Sequence, residues 1–489
     1  MIGTPGRPGP GDPAGLRADA PLLDAWLAFR EAAASGLVRP FTIPGHKQRL
    51  DLVGDVVAGD VPLYAGLDTM KQSGGVLAEA QRRAARFWGA DWCRFSVGGS
   101  THGNQALALA VGRPGDEVVV GRTLHRSLLI GLVLAGLRPV WVRPPVDGRT
   151  GLPEAVPVAA VARALADHPG AVAVFLGDPS YVGTVGDVAG HAEVAHAAGV
   201  PLVVDAAWGA HFGLHPALPP HPLAAGADAV VTSAHKTLPA VSQGALVLAR
   251  TTASGGRLDA GRLDRAVDAT HTTSPAGAIL ASIDAARALV ERDGPALAGR
   301  LVHHVRAART RLRDVPGLEV LDGPQVEAGK LVALLAGTGA HGLAVEQDLI
   351  AAGFPVEMAD RNTIVAVVTL ADGAATVAGL ADALAASVER HRGDARPVVP
   401  AAAWTVDPEQ AIPPREAVFA ERMSVPADEA VGRVSAELVA PYPPGVPVLA
   451  PGERVTAPGL AALQAARDDG ALIAYAADPT LATLQVLRA

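Results

Sequence analysis

The 489-residue chain has a single cysteine, Cys93. That excludes an intrachain disulfide and a cysteine-based zinc site of the usual kind. Aromatic residues are scarce at 4%, charged residues reach only 18%, and no sustained basic run interrupts a formal net charge of −8. Such a balance argues against a nucleic-acid or anionic-membrane surface. No apolar run is long enough to span a membrane, and the opening MIGTPGRPGPGDPAG has no signal-peptide core, so a cytoplasmic protein acting on small molecules is expected.

What is present in quantity is aliphatic. Hydrophobic residues make up 49% of the chain, while 54 glycines and 40 prolines imply many turns. The length suits two to four domains, or one large α/β unit with a smaller one appended. Residues 1–20 are rich in Gly and Pro without periodicity and read as a disordered tail. The segment 21–74 opens with the amphipathic PLLDAWLAFREAAASG and continues into the loop FTIPGHKQ.

From 75 to 290 the pattern alternates strand and helix. DEVVVG, RPVWVRP, AVAVFLGDP, VPLVVDAA, ADAVVTSAHK and GALVLAR are apolar runs suited to parallel strands buried on both faces. HGNQALALAVGR, RSLLIGLVLAGL, EAVPVAAVARALADHPG and AGHAEVAHAAG lie between most of them with helical spacing. The expected fold is a mostly parallel, doubly wound α/β sheet with helices on both faces, whose ligands bind beyond the carboxyl ends of the strands. A long helix beginning TSPAGAILASIDAARALV leads to a small α+β domain at 291–395, and a C-terminal segment follows at 396–489.

Three polar clusters fall at the carboxyl edge of that sheet. In SVGGSTHGNQA, glycines followed by Ser100 and Thr101 offer backbone N–H groups, hydroxyls and a helix N-terminus to a phosphate, although an ordinary N-cap would read the same way. In VVDAAWGAHF, Asp205 ends an apolar strand, where it could hold a protonated ring nitrogen or cap the next turn. In TSAHKTLP, Lys236 follows the next strand beside Ser233 and His235; a lysine there is either a solvated charge or a nucleophile shifted by burial or held as an imine. A phosphate site, a ring-nitrogen carboxylate and an imine-forming lysine together meet the requirements of pyridoxal 5'-phosphate (PLP). HAEVAH spaces its histidines five apart, off a common helix face, and reads as a solvated helix surface without metal.

The ordered motifs IPGHKQ, GGSTHGNQ, RTLHRS, DPSYVGTVGDV, VDAAWGAHF, SAHKTLPAVSQGA, TTSPAGAILASIDAAR, PPREAVF and APYPPGVPVLAPGE resemble those of the ornithine/lysine/arginine decarboxylases, in their short form. The resemblance implies the fold of the fold-type I PLP-dependent transferases, similar to aspartate aminotransferase, and decarboxylation of a basic amino acid to agmatine, cadaverine or putrescine. By position it makes Lys236 the Schiff-base lysine, Asp205 the partner of the pyridine nitrogen, and His125 the imidazole stacked on the cofactor ring. Ser100, Thr101, Ser233 and His235 resemble the phosphate-side contacts, His235 or Lys236 the proton donor, and Trp208 and His211 residues near the cofactor; from the residues alone, His125 reads as a partly buried histidine at a helix start, and Trp208 and His211 read equally as core packing. It further implies a homodimer, or an assembly of dimers, with shared active sites.

The chain departs from the family near the expected substrate entrance. In LYAGLDTMKQ, Gly66, Leu67 and Asp68 match, while Thr69 and Lys71 stand where an aspartate and a histidine are usual. Ala206 replaces a glutamate and Trp208 a histidine. Glu357, Asp360 and Glu453 are the remaining candidate acids for a substrate cation, and each reads equally well as an ordinary surface charge. The alternative is another fold-type I reaction, an aminotransferase or a decarboxylase for a non-basic amino acid.

Overall fold

The structure is a computed structural model that describes residues 13–39, 41–47, 49–61, 67–68, 74–398, 402–442 and 445–488. Gly66, Thr69 and Lys71 lie outside the described residues. Asp68 accepts hydrogen bonds from the backbone N–H groups of Gly75 (2.9 Å) and Leu77 (3.2 Å), serving the N-terminus of the helix Val76–Trp88.

The major sheet has seven strands: β1 (Trp92–Ser96), β2 (Glu117–Gly121), β3 (Arg138–Val142), β4 (Val174–Gly177), β5 (Leu202–Asp205), β6 (Ala229–Thr232) and β7 (Ala245–Ala249). Their order is β1-β7-β6-β5-β4-β2-β3. The expected apolar runs form six of them, and the side chains of β5, β6 and β7 are almost wholly buried. Helices on both faces cover the sheet, forming two aliphatic clusters that contain Val204 and Leu246 on one side and Val203 and Val247 on the other.

The major sheet differs from the sequence expectation in two features. β7 runs antiparallel to β6, because the intervening chain contains only the one-turn helix Ala234–Thr237 and no helical crossover to carry it back to the other end. β1 was not foreseen as a strand, since Arg94 breaks its apolar run; that guanidinium lies 5.0 Å from the Trp92 ring centroid and pairs with Asp264. Residues 13–20, expected as part of a disordered tail, are structured. Pro13–Leu16 form a turn of 3-10 helix, and buried Leu16 packs with Ala20 and Ala288.

The 37-residue helix Gly277–Arg313 leaves the major sheet and packs into a second layer, so the boundary expected between 290 and 291 falls inside one helix. That layer is an antiparallel sheet of β8 (Glu319–Val320), β9 (Lys330–Leu334), β10 (Met358–Ala359) and β11 (Thr363–Val367), in the order β10-β11-β9-β8. The C-terminal segment has its own apolar cluster around Val439, Leu463 and Val486. It is tied to the major sheet by Glu453, whose fully buried carboxylate grips the Arg122 guanidinium at 2.5 and 2.9 Å. Glu453 is therefore a structural anchor, and the sequence reading of it as a surface charge or a substrate acid does not hold. Arg415, from PPREAVF, donates to the carbonyls of Val133 and Leu134 at the C-terminal end of the helix Arg126–Ala135.

Candidate active site

The carboxyl ends of β1, β2, β5 and β6 converge on one edge of the sheet, and each contributes a polar group. Register sets Asp205 between Gly177 of β4 and Val231 of β6. Its Oδ2 accepts a hydrogen bond from Asn104 Nδ2 at 2.7 Å, and its Oδ1 accepts the N–H of Ala207 at 3.1 Å. Asp205 thus closes the following turn, as one of its two sequence readings expects, and its carboxylate is held fixed between the two donors.

Asn104 belongs to the helix Gly99–Val111, which follows β1. The helix approaches the sheet closely because Gly103 has no side chain: a Cβ there would lie 2.9 Å from Val231 Cγ1 and 3.0 Å from Val247 Cγ2. No side chain caps this helix, which overturns the N-cap alternative for Ser100. The Ser100 hydroxyl instead accepts a hydrogen bond from Ser233 at 3.0 Å, linking the helix N-terminus to the end of β6. The Thr101 side chain is exposed in the same first turn.

Asn104 Nδ2 also donates to Ser127 Oγ at 2.9 Å, and Ser127 Oγ lies 2.8 Å from His125 Nδ1. His125 is the N-cap of the helix Arg126–Ala135, and its Nδ1 accepts the Ser127 N–H at 3.2 Å. Neutral His125 therefore carries its proton on Nε2. Desolvation by the surrounding protein holds this imidazole below its usual protonation range although its ring reaches solvent; Asp205 opposes that shift, and Lys236 and Arg126 add to it. Asn104 and Ser127, which join Asp205 to His125, were not singled out from sequence. Their signal was present in GGSTHGNQ and RTLHRS, but a buried amide and a hydroxyl are too common to stand out without tertiary contacts.

Lys236 lies in the one-turn helix after β6, half-buried, with its Nζ 4.0 Å from the centroid of the Trp208 ring. Burial lowers its proton affinity, while Asp205 and Glu357 pull it back up. Half-buried against Trp208, Lys236 is not the fully solvated charge that one of its sequence readings expects. His235 turns its Nδ1 to the carbonyl of Gly244 at 2.9 Å, which leaves Nε2 uncommitted by that bond. Trp208 is buried and meets Tyr181 edge to face at 5.6 Å.

Other sequence candidates separate. His211 is buried and paired with Glu327 at 2.8 Å, a link between the loop after β5 and the small sheet. Asp360 accepts the N–H groups of Asn362 and Thr363 and shapes a turn. Glu357 is exposed beside the site and accepts the Tyr181 hydroxyl at 2.8 Å. In HAEVAH the solvated-surface reading fails: His191 is buried with Nε2 at 2.9 Å from the Val156 carbonyl, and His196 pairs with Asp228. No metal-ligand cluster occurs among the described residues. A cavity of about 930 Å³ beside the helix Pro21–Ala34, lined by Leu27, Phe41 and Leu50, contains none of the Lys236, Asp205 and His125 groups.

The major-domain description of the Orn/Lys/Arg decarboxylases matches residues 41–351, and their C-terminal domain matches 399–470. An arginine decarboxylase from Halalkalibacterium halodurans is 30% identical, over 92% of this chain and 94% of its own length. One from Bacillus subtilis is 29% identical over the same shares. The crystal structure of the Francisella novicida lysine decarboxylase superposes with a TM-score of 0.81 at 18% identity, covering 96% of this chain and 80% of that one. The sheet with its flanking helices and smaller second layer is accordingly the fold-type I architecture. By its sequence matches along both parts of its length, the chain belongs to the Orn/Lys/Arg decarboxylase family.

Proposed function

We propose that this protein decarboxylates a basic L-amino acid to the corresponding amine and CO2, with PLP held at the carboxyl edge of the major sheet. The observation that carries the reading is the meeting of Lys236, Asp205 and His125, from three separate strand ends, within electrostatic reach of one another. The donor set suits PLP. Ser100, Ser233 and the uncapped helix N-terminus offer hydroxyl and N–H donors to a phosphate, with Thr101 in the same turn and His235 Nε2 nearby in sequence.

Bound PLP supplies the electron sink for the electrons freed when the bond from Cα to the carboxylate breaks. The chain's own residues do the rest. Asp205, held by Asn104 and the Ala207 amide, would keep a proton on the cofactor's ring nitrogen. His125, fixed in its Nε2-protonated form by Ser127, would pack against the cofactor ring. Burial leaves more of Lys236 as the neutral, nucleophilic amine, and Lys236 or His235 returns the proton to Cα. Asp205 and Glu357 are the carboxylates that act on Lys236, and with Asp205 engaged, Glu357 is the acid available for the substrate's distal cation. This favours arginine, lysine or ornithine.

A homodimer completes the proposal. Leu37, Phe41 and Val56 expose 83, 97 and 85% of their surface along the N-terminal segment, apolar area that a second copy would cover. The test is amine and CO2 release by PLP-loaded protein from a panel including arginine, lysine and ornithine, without added keto acid. Turnover of one basic amino acid that is abolished in Lys236→Ala supports the reading. Turnover that requires a keto acid overturns it.

A further inference from the structure

Lys330 opens β9 in the small sheet yet reaches into the major-sheet site. It is 1% exposed, and its stem packs against Gly183, where an added Cβ would come within 3.3 Å of it. Its Nζ donates to the Tyr181 carbonyl and lies 3.9 Å from the Trp208 ring centroid and 5.2 Å from that of Tyr181. The Lys236 nitrogen sits 4.0 Å from the same Trp208 centroid, so the two amines are separated by no more than the sum of those two short distances.

A buried ammonium ordinarily finds a carboxylate. This one has no ion pair among the described residues. Glu327 is committed to His211 and to the Gly329 N–H, while Glu357, exposed at the edge of the site, accepts the neutral Tyr181 hydroxyl. Arg309, on the far side, donates only to the carbonyls of Glu327 and Lys330 and to Asp322. What faces the Lys330 amine is therefore aromatic, a carbonyl, Glu327 in its pair with His211, the exposed Glu357, and Lys236.

We infer that Lys330 is a positioning residue of this site: held against Trp208 from the small-sheet side, it acts on the nitrogen of Lys236 as a neighbouring like charge, so that the two nitrogens do not readily hold a proton each. The inference rests on Lys236 being the lysine that engages PLP. Burial drives Lys330 down to about 7; Glu327 opposes this, Lys236 reinforces it and Glu357 opposes it. The repulsion belongs to the pair, since a proton on either nitrogen disfavours one on the other. In a decarboxylase whose lysine must exchange with substrate, such a neighbour favours an uncharged nitrogen at position 236 wherever Lys330 itself carries its proton, at and below about pH 7.

The test follows visible absorbance against pH in the PLP-loaded protein, for wild type, Lys330→Met and Lys330→Arg. Removing a like charge at this separation raises the protonation midpoint of the Lys236-linked band by about one pH unit in Lys330→Met. Lys330→Arg, which keeps the charge, leaves it at or below the wild-type value. A midpoint unchanged in Lys330→Met, or raised equally in both variants, overturns the inference. If Lys330→Met does not retain cofactor, competitive acylation of Lys236 in wild-type cofactor-free protein decides, read by mass spectrometry. A rate profile with a second step near neutral pH supports coupling, and a single step overturns it. The absence of any band dependent on Lys236 would instead overturn the PLP reading itself.

Discussion

Replacing Asn104 by alanine tests the site at its least conspicuous residue. Asn104 is 1% exposed, and its single amide nitrogen serves Asp205 at 2.7 Å and Ser127 at 2.9 Å. The first of these is a hydrogen bond to a carboxylate, worth about 1.5–3 kcal/mol, and its loss leaves Asp205 with the Ala207 N–H alone. If that energy is expressed in holding the ring nitrogen, PLP affinity or turnover falls roughly ten- to a hundredfold. Absorbance titration with PLP and steady-state CO2 release at saturating cofactor separate the two. Ser127→Ala is the internal control, since it frees His125 Nδ1 of its hydroxyl partner while Asp205 keeps Asn104, and its effect is the smaller. Wild-type PLP affinity and turnover within about twofold in Asn104→Ala, with Ser127→Ala worse, would refute the argument that Asn104 orients Asp205.

Lys236→Ala should abolish both the visible band and decarboxylation while leaving far-ultraviolet circular dichroism unchanged. Glu453→Gln breaks the buried clasp on Arg122 and should cost about 3–5 kcal/mol of stability, read by urea unfolding; a cost under about 1 kcal/mol would contradict its anchoring role. Gly103→Ala forces a methyl group against Val231 and Val247 and should destabilise by about 1–3 kcal/mol while raising the apparent Kd for PLP. Burial holds His102 down to about 4 and His221 down to about 3. Both folded values lie below that of the unfolded chain, so below pH about 6.5 the unfolded state binds more protons. Stability should fall by up to about 1.4 kcal/mol per pH unit for each histidine as pH drops toward those values. Urea midpoints at pH 7 and pH 5 measure this, and His221→Gln should flatten the dependence.

Much of this protein was legible before its structure. Apolar runs of four to six residues ending in polar clusters fixed six strands of the major sheet, because a strand covered on both faces must be apolar along its length. The same rule placed Asp205 and Lys236 at strand ends, and the motif order identified the family. Other features were set by contacts that sequence spacing does not encode. The reversal of β7 depended on what the chain between β6 and β7 could not form, and β1 was hidden by an arginine whose charge is answered by Asp264, 170 residues away. Glu453 read as a surface acid until folding brought it 331 residues back to Arg122. Lys330 carried no signal in the sequence, and only packing brings its amine against Trp208. Periodicity reports which face of an element is buried; only the tertiary structure decides what a buried charge meets there, because that partner comes from a distant part of the chain.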